Sequence, residues 1–416
     1  MSRKDQNRIS PEGLQLVECV RAYIAGGSAS VVMDINDENA CGRLFALAFT
    51  QKLVPVVFDT LSGCEAVSKA AYAEGWRSAA KRQAVMQTYL ASELCDILSR
   101  LKQKGFEPIV LKGELCRRLY KKPELRISSD EDLFIEEDKA EACLCAMAEM
   151  GFCEKYGEKP EWRGREVVTA DSPEGPHIEL HRALFKGDGR IDAAFDKHFA
   201  SAFARSVRDT GGAGEIRVFR PTDALLYLIC HAAKHFASGG FGVRTAADIS
   251  AFTERHYDDI DMEELCGLLD KGGLARFAAA VYGIAVKHFG FDISKHPLPE
   301  ALMGADGEAM LADCLSGGVY GTATPARAQS AKYTIAAASG GSRTGAALRS
   351  IFPGREALAA EYPFVKKSAL LVPAAWVKRI FAYVRSGRGD GQQGYAIGRR
   401  RARLLKKYGI DGKKGS

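Results

Sequence analysis

Several things are missing from this 416-residue chain. None of its eleven cysteines forms a Cys-x-x-Cys pair, so no zinc knuckle or dithiol redox motif is encoded at that spacing. Their number is odd and they are scattered from Cys19 to Cys314. Reduced thiols are therefore expected rather than a disulfide framework. No apolar run reaches the roughly 18 residues of a membrane span. The longest candidate, Ala369 to Val377, is interrupted by Pro373. Met1 to Ile9 is polar and no apolar core follows it, so no secretory leader is expected. These absences together predict a cytoplasmic setting.

A strong overall charge is also missing. The net charge is +6, and residues 384–416 hold ten Lys/Arg against two acids, which leaves the rest close to neutral. A basic stretch of that kind binds nucleic acid, binds anionic lipid, or simply stays hydrated. Its interleaved glycines and lack of an aromatic array favour a solvated tail. Nucleic acid is thus a possible partner without positive support.

What is present divides the chain. At this length two or more domains are expected. Residues 1–104 read as a helical N-terminal region. Leu14, Val17, Val20 and Ile24 fall on one helical face. Ala40–Thr50 and Val54–Leu61 continue with helical spacing. A long helix is predicted over 72–104 with Val85, Tyr89, Ile97, Leu98 and Leu101 inward, stopped by Gly105. Residues 105–220 alternate strands and helices. Strands are predicted at Pro108–Leu111, from Asp130, and at Phe152–Tyr156, Glu166–Thr169 and Pro176–Arg182. Asp138 with Glu141 is placed to cap an intervening helix. Residues 221–300 return to helices, with Arg244 and Asp248 placed to pair at i,i+4. Residues 301–383 form an irregular or helical extension, with 300–345 irregular, and 384–416 is the basic tail.

The chemistry concentrates in the middle unit. Asp130 and Asp132 lie two apart in a strand, so both side chains leave one face, opposite Leu133 and Ile135. Two adjacent carboxylates repel unless a cation or proton lies between them. Oxygen-rich sites of this kind suit Mg²⁺, which also bridges to phosphates. Asp-x-Asp alone is also a common solvated strand end. A third acid, Glu179 in His177-Ile178-Glu179-Leu180-His181, is flanked by apolar residues and out of place as an idle surface charge.

The order of glycine turn, helix, Asp-x-Asp strand and later Glu strand resembles the polymerase-β type of nucleotidyltransferase fold. More closely, Leu111-Lys112-Gly113, Arg126, Ser129-Asp130-x-Asp132-Leu133 and His177-x-Glu179-Leu180-His181 resemble a poorly characterised bacterial nucleotidyltransferase family with Leu-Lys-Gly and Asp-x-Asp-Leu signatures. Weaker similarity runs through His231-x-x-x-His235, Arg244 and Asp248 to the Leu370–Tyr383 segment. The resemblance implies an α+β fold, a small mixed-sheet nucleotidyltransferase core flanked by N- and C-terminal helical regions. It also implies an enzyme that moves a nucleoside monophosphate from an NTP to an acceptor hydroxyl. Asp130, Asp132 and Glu179 would be the catalytic residues and hold Mg²⁺ or Mn²⁺. The acceptor, a small molecule or a macromolecule, stays open. The alternative is a catalytically weakened relative acting as a binding or regulatory module.

Nucleotide-binding candidates are Lys112, Gly113, Arg126 and Ser129. Gly113 lets the backbone approach a triphosphate, but Glu114 beside it is unfavourable there unless it turns away. Arg126 reaches phosphate or pairs with an acid. Ser129 binds nucleotide or caps a turn. His177 and His181 tune the site or are satisfied, half-buried histidines. His231 and His235 have zinc-compatible spacing without accompanying ligands, so packing or pocket roles are favoured. Lys234 and Arg244 are further candidate phosphate contacts.

Overall fold

Helix α1 (Pro11–Ala25) starts where the sequence supplies a cap. The Ser10 hydroxyl accepts the Gly13 N–H at 3.1 Å, Pro11 needs no partner, and Gly26 closes the end in the left-handed region at φ 69°. In this computed structural model the chain is described over residues 9–154, 158–172, 175–185, 190–212, 214–328, 330, 334, 358, 362–366, 368, 371–385 and 388–410. Helices α2 (Glu38–Thr50), α3 (Val54–Leu61), α4 (Glu65–Lys69) and α5 (Ala73–Gln103) complete the N-terminal region. The buried stripe of α5 runs through Ala80, Gln87, Leu94 and Leu101, one residue every two turns. Val85 and Tyr89, expected inward, lie off that stripe and are exposed.

A six-stranded mixed sheet follows. Its strands are β1 (Ile109–Val110), β2 (Asp130–Phe134), β3 (Val167–Asp171), β4 (His177–His181), β5 (Val207–Asp209) and β6 (Ile216–Val218). They lie in the order β3-β4-β2-β1-β6-β5. The central pairs β2–β4 and β1–β6 are parallel, whereas β1–β2, β3–β4 and β5–β6 are antiparallel. The four-residue helix α6 (Glu114–Arg117) joins β1 towards β2, and α7 (Ala140–Glu149) follows β2. The expected Asp138 cap is not formed: a 3-10 turn over Glu137–Lys139 leads into α7, and no side chain caps it. Cys153 makes one isolated bridge to Asp171 where a full strand was expected, and 155–157 lie outside the described residues. Strands β5 and β6 escape prediction because each is three residues long, too short for alternation to register.

Leu133, Ile178, Leu180 and Val168 are fully buried on one face of the sheet. The other face is the acidic one, and helix α10 (Pro221–Ser238) packs over it. Helices α8 (Arg190–Ala200) and α9 (Ala202–Arg205) precede α10; α11 (Val243–Arg255), α12 (Met262–Lys271) and α13 (Ala275–Ile284) follow. Within 300–345, expected to be irregular, α14 (Glu308–Gly317) forms because Met310, Leu311 and Cys314 share a buried side. The last described elements are α15 (Val372–Arg385) and α16 (Arg388–Lys407).

The segment expected as a solvated tail is therefore largely helical and packed. Leu404, Leu405 and Tyr408 are buried, and Arg401 is 1% exposed. Arg401 donates to Asp313 of α14 and to the Phe236 carbonyl near the end of α10. Arg327 grips the same Asp313 through two bonds of 2.7 Å. A cation at the carbonyl end of α10 is favoured by the helix dipole.

Candidate active site

The acidic face is assembled by strand register. The Leu111 N–H donates to the Asp132 carbonyl at 3.0 Å, which sends the next residue, Lys112, towards that face. Its ammonium lies 3.2 Å from Asp130 Oδ2 and 3.0 Å from Asp132 Oδ2. In the parallel β2–β4 pair, Asp132 is the direct partner of Glu179, Asp130 of His177 and Phe134 of His181. His181 Nε2 is 3.1 Å from Asp132 Oδ1 and 3.9 Å from Glu179 Oε2. Ligand atoms of Asp132, Glu179 and His181 all lie within 4.8 Å of one another. That convergence takes in His181, while Asp130 joins it through the Lys112 ammonium. His177 instead bonds Asp171 across the β3–β4 pair.

Helix α10 forms the wall above. His231 Nε2 is 3.1 Å from Lys112 Nζ, and the His231 and His235 rings are 4.4 Å apart. Burial, with Lys112 next to it, holds His231 well below the usual histidine range. A neutral ring accepts from the ammonium at Nε2 and carries its proton on Nδ1. Tyr227, one turn earlier, packs against His231 and the Phe199 and Phe219 rings. Neither histidine of α10 belongs to the metal-like grouping among the described residues. Lys234 lies over the Phe185 ring at 5.1 Å.

The acids divide their charge unequally. Burial pushes the Asp132 carboxyl up, but Lys112 and His181 beside it hold it well below the ordinary range. Glu179 moves the other way, raised by burial and by the neighbouring Asp132. Burial disfavours the Lys112 charge, yet Asp132 and Asp130 more than offset this and raise its pKa. Asp132 is fully buried, and its Oδ2 has no donor in hydrogen-bonding direction. Lys112 approaches that oxygen in distance only. An orphaned carboxylate oxygen, a second carboxylate and an imidazole form a donor set suited to a small divalent cation, and the imidazole suits Mn²⁺ as well as Mg²⁺.

The glycine turn packs closely against an internal acid. Gly113 has φ 73° and ψ −104°, and a Cβ there would lie 2.1 Å from Glu131 Oε2. Glu131 points to the opposite face from the aspartates. Its carboxylate accepts the Glu114 N–H at 3.0 Å and an Arg117 N–H at 2.5 Å. The Glu114 side chain has turned away into Arg117 and Arg118, both at 2.9 Å. The N–H expected to meet phosphate is thus engaged by an internal carboxylate.

The remaining candidates separate. Arg126 is 4% exposed and makes the acid pair: its Nε and Nη2 donate to Asp248 at 2.9 and 2.6 Å. Tyr120 donates to the same Asp248 at 2.8 Å. The expected Arg244–Asp248 pair therefore does not form, and Arg244 donates to the Ile127 carbonyl. Ser129 bonds to Lys52 and to Tyr320, with Lys52 Nζ 3.3 Å from the Tyr320 hydroxyl. Sequence reasoning did not find Lys52 or Tyr320. Neither belongs to a motif, and the one local signal, a Gln-Lys pair between two apolar helices, does not reveal a contact 77 residues away.

No helix among the described residues is long and apolar enough to cross a membrane. No curated protein and no solved structure matches the chain. A family model described as uncharacterised nucleotidyltransferase matches residues 37–290, more than half of the length, and the chain belongs to that family.

Proposed function

We propose that the chain is a metal-dependent nucleotidyltransferase. An acceptor hydroxyl oxygen attacks the α-phosphorus of an NTP. A new O–P bond forms, the bond from that phosphorus to the β-phosphate oxygen breaks, and pyrophosphate leaves. The observation that carries this reading is the register match of Asp132 with Glu179, which brings their oxygens and the His181 ring within 4.8 Å of one another. Asp130, Asp132 and Glu179, with His181, are the residues that would hold Mg²⁺ or Mn²⁺. Such an ion, when bound, neutralises charge on the phosphates and lowers the pKa of an oxygen it meets.

The chain's own groups supply the rest. Asp132 keeps its charge beside Lys112, and Glu179, its partner across the strands, would complete the ion's site beside the acceptor hydroxyl and so favour its deprotonation. Lys112 and neutral His231 hold one another, fixing a cation next to both aspartates. His231, buried on α10, covers one side of the Lys112 ammonium, and low solvent access there strengthens its electrostatic contacts.

A second reading, a binding or regulatory module without turnover, draws on the position of Lys112. An ammonium between Asp130 and Asp132 already supplies a positive charge where a metal would share those acids. Incubation with Mg²⁺ or Mn²⁺ and NTP labelled at either the α- or the γ-phosphate separates these possibilities. Transfer of α-label to an acceptor, abolished by Asp132→Asn, is the expected result. Transfer of γ-label identifies a kinase. Metal and nucleotide binding without transfer of either label across a broad acceptor panel favours the module.

A further inference from the structure

At the glycine turn the Glu114 N–H is already bonded to Glu131, so donors elsewhere near β2 bear on how a triphosphate is held. Two cations near the start of β2, Lys52 and Arg244, make no ion pair with a carboxylate among the described residues. Lys52 contacts only the hydroxyls of Ser129 and Tyr320, and its ammonium also lies 5.2 Å from the Tyr320 ring centroid. Arg244 contacts only the Ile127 carbonyl. Burial and nearby Arg126 lower the Arg244 pKa, while Asp248, Asp130 and Tyr320 act on it from the other side.

These residues come from four distant segments, three of which are laced together by backbone contacts. Gln51, with no exposed surface, donates to the Cys314 and Leu315 carbonyls at 2.8 and 3.2 Å and accepts the Val243 N–H at 3.1 Å. It thereby ties the turn carrying Lys52 to the end of α14 and to the start of α11, next to Arg244. The Val319 N–H donates to the Thr50 carbonyl at 3.1 Å and seats Tyr320 over the same turn. Lys52 itself is held at φ 55°, a conformation uncommon for a residue with a side chain. Backbone held in this way is frequent where a side chain must be aimed. Ser129 immediately precedes β2, and Arg244 lies within electrostatic reach of both Asp130 and Tyr320. An anion held by these groups therefore lies at the entry of the acidic strand.

Resting on the nucleotidyltransferase reading, we propose that Lys52 and Arg244, with the Ser129 and Tyr320 hydroxyls, form the site for the β- and γ-phosphates of the incoming NTP. The leaving pyrophosphate is then released between the N-terminal region and the loop carrying Tyr320. Cationic and hydroxyl donors without an acid among them suit a polyphosphate, because each bond to an ionised oxygen is charge-assisted.

The test is calorimetric titration of the full chain with inorganic tripolyphosphate in Mg²⁺, alongside α-label kinetics. Lys52→Gly removes the charge while giving the φ 55° position its least strained residue, so the fold is retained. It is expected to weaken tripolyphosphate binding about tenfold or more and to raise the NTP KM in step. Arg244→Met is expected to do the same, with its melting temperature checking the fold, and Tyr320→Phe to have a smaller effect. Wild-type protein that fails to bind tripolyphosphate, or Lys52→Gly protein that binds it as well as wild type, overturns the site. If α-label transfer persists in that case, the nucleotidyltransferase reading stands alone. Tripolyphosphate binding that depends on Lys52, in a protein that transfers no α-label, keeps the site and overturns the reaction.

Discussion

Strand β2 carries three acids, and its two faces treat them in opposite ways. On one face, Glu131 is buried between the Glu114 N–H and Arg117, so its carboxylate is bonded on both oxygens. On the other, Asp130 and Asp132 share one lysine, and a buried Asp132 oxygen lacks a donor. A buried charge that is bonded at every turn is part of the framework. Two carboxylates served by one lysine keep net negative charge on the other face, as expected where a cation will be supplied. The contrast also shows why neighbouring acids in one sequence should not be pooled: the alternation of the strand separates Glu131 from both aspartates.

The comparison can be broken by treating both faces alike. Asp132→Asn should lower α-label transfer by more than about 10³-fold while shifting the melting temperature by only a few degrees. Glu131→Ala should do the reverse first. Arg117 keeps its pair with Glu114, but one of its buried N–H groups and the Glu114 N–H lose their acceptor, expected to cost about 1–3 kcal/mol in urea unfolding. Equal losses of stability in the two variants would erase the distinction. Gly113→Ala should cost about 1–3 kcal/mol through its backbone angle and its clash with Glu131. That cost should shrink in a Glu131→Ala background, where the 2.1 Å approach is gone, and additivity would disprove the link.

Lys112→Met tests the polar face more finely. Removing the cation leaves the aspartates uncompensated, so Mg²⁺ should raise the melting temperature of this variant more than that of wild type. A concentration of about 100 times Kd stabilises by about 2.7 kcal/mol. An equal or smaller rise than in wild type would show that Lys112 does not compete with metal. The smallest effect concerns Asp223, a satisfied acid elsewhere. Burial pushes its carboxyl up, but bonds from His198, Arg220 and Arg205 hold it well below the usual range. A depressed native pKa stabilises above the unfolded value of about 3.9, and that stabilisation is lost as pH falls towards the native value. Asp223→Asn should therefore flatten the acid limb of the stability profile below about pH 4, measured by urea midpoints.

Much of the chemistry could be read from local pattern. Alternation placed Asp130 and Asp132 together, and the apolar neighbours of Glu179 marked it as unusual; register then brought it opposite Asp132. Helical spacing located α1, α2, α3 and α5 within a few residues. What failed was whatever depends on a partner far along the chain. Gly113 suggested a phosphate turn because Glu131, which fills it, is an unremarked residue between two conspicuous ones. Asp248 has Arg126 as its partner, 122 residues away, instead of Arg244 one turn before it. Charge counting hid the packing of α16, although Arg401, Leu404, Leu405 and Tyr408 fall at three- and four-residue steps on one buried side.

Because Asp132 and Glu179 are matched across parallel strands, their meeting depends on counting as much as on chemistry. Loss of one residue within 177–181 would invert every later side chain of β4 relative to β2. Leu180 would then take the place opposite Asp132, and an acid two turns of the pleat away could not substitute for it. Descendants of this chain can therefore extinguish the site by a point change, but they cannot relocate it by small steps. Insertions and deletions should accumulate in the surrounding loops, and spare those five positions.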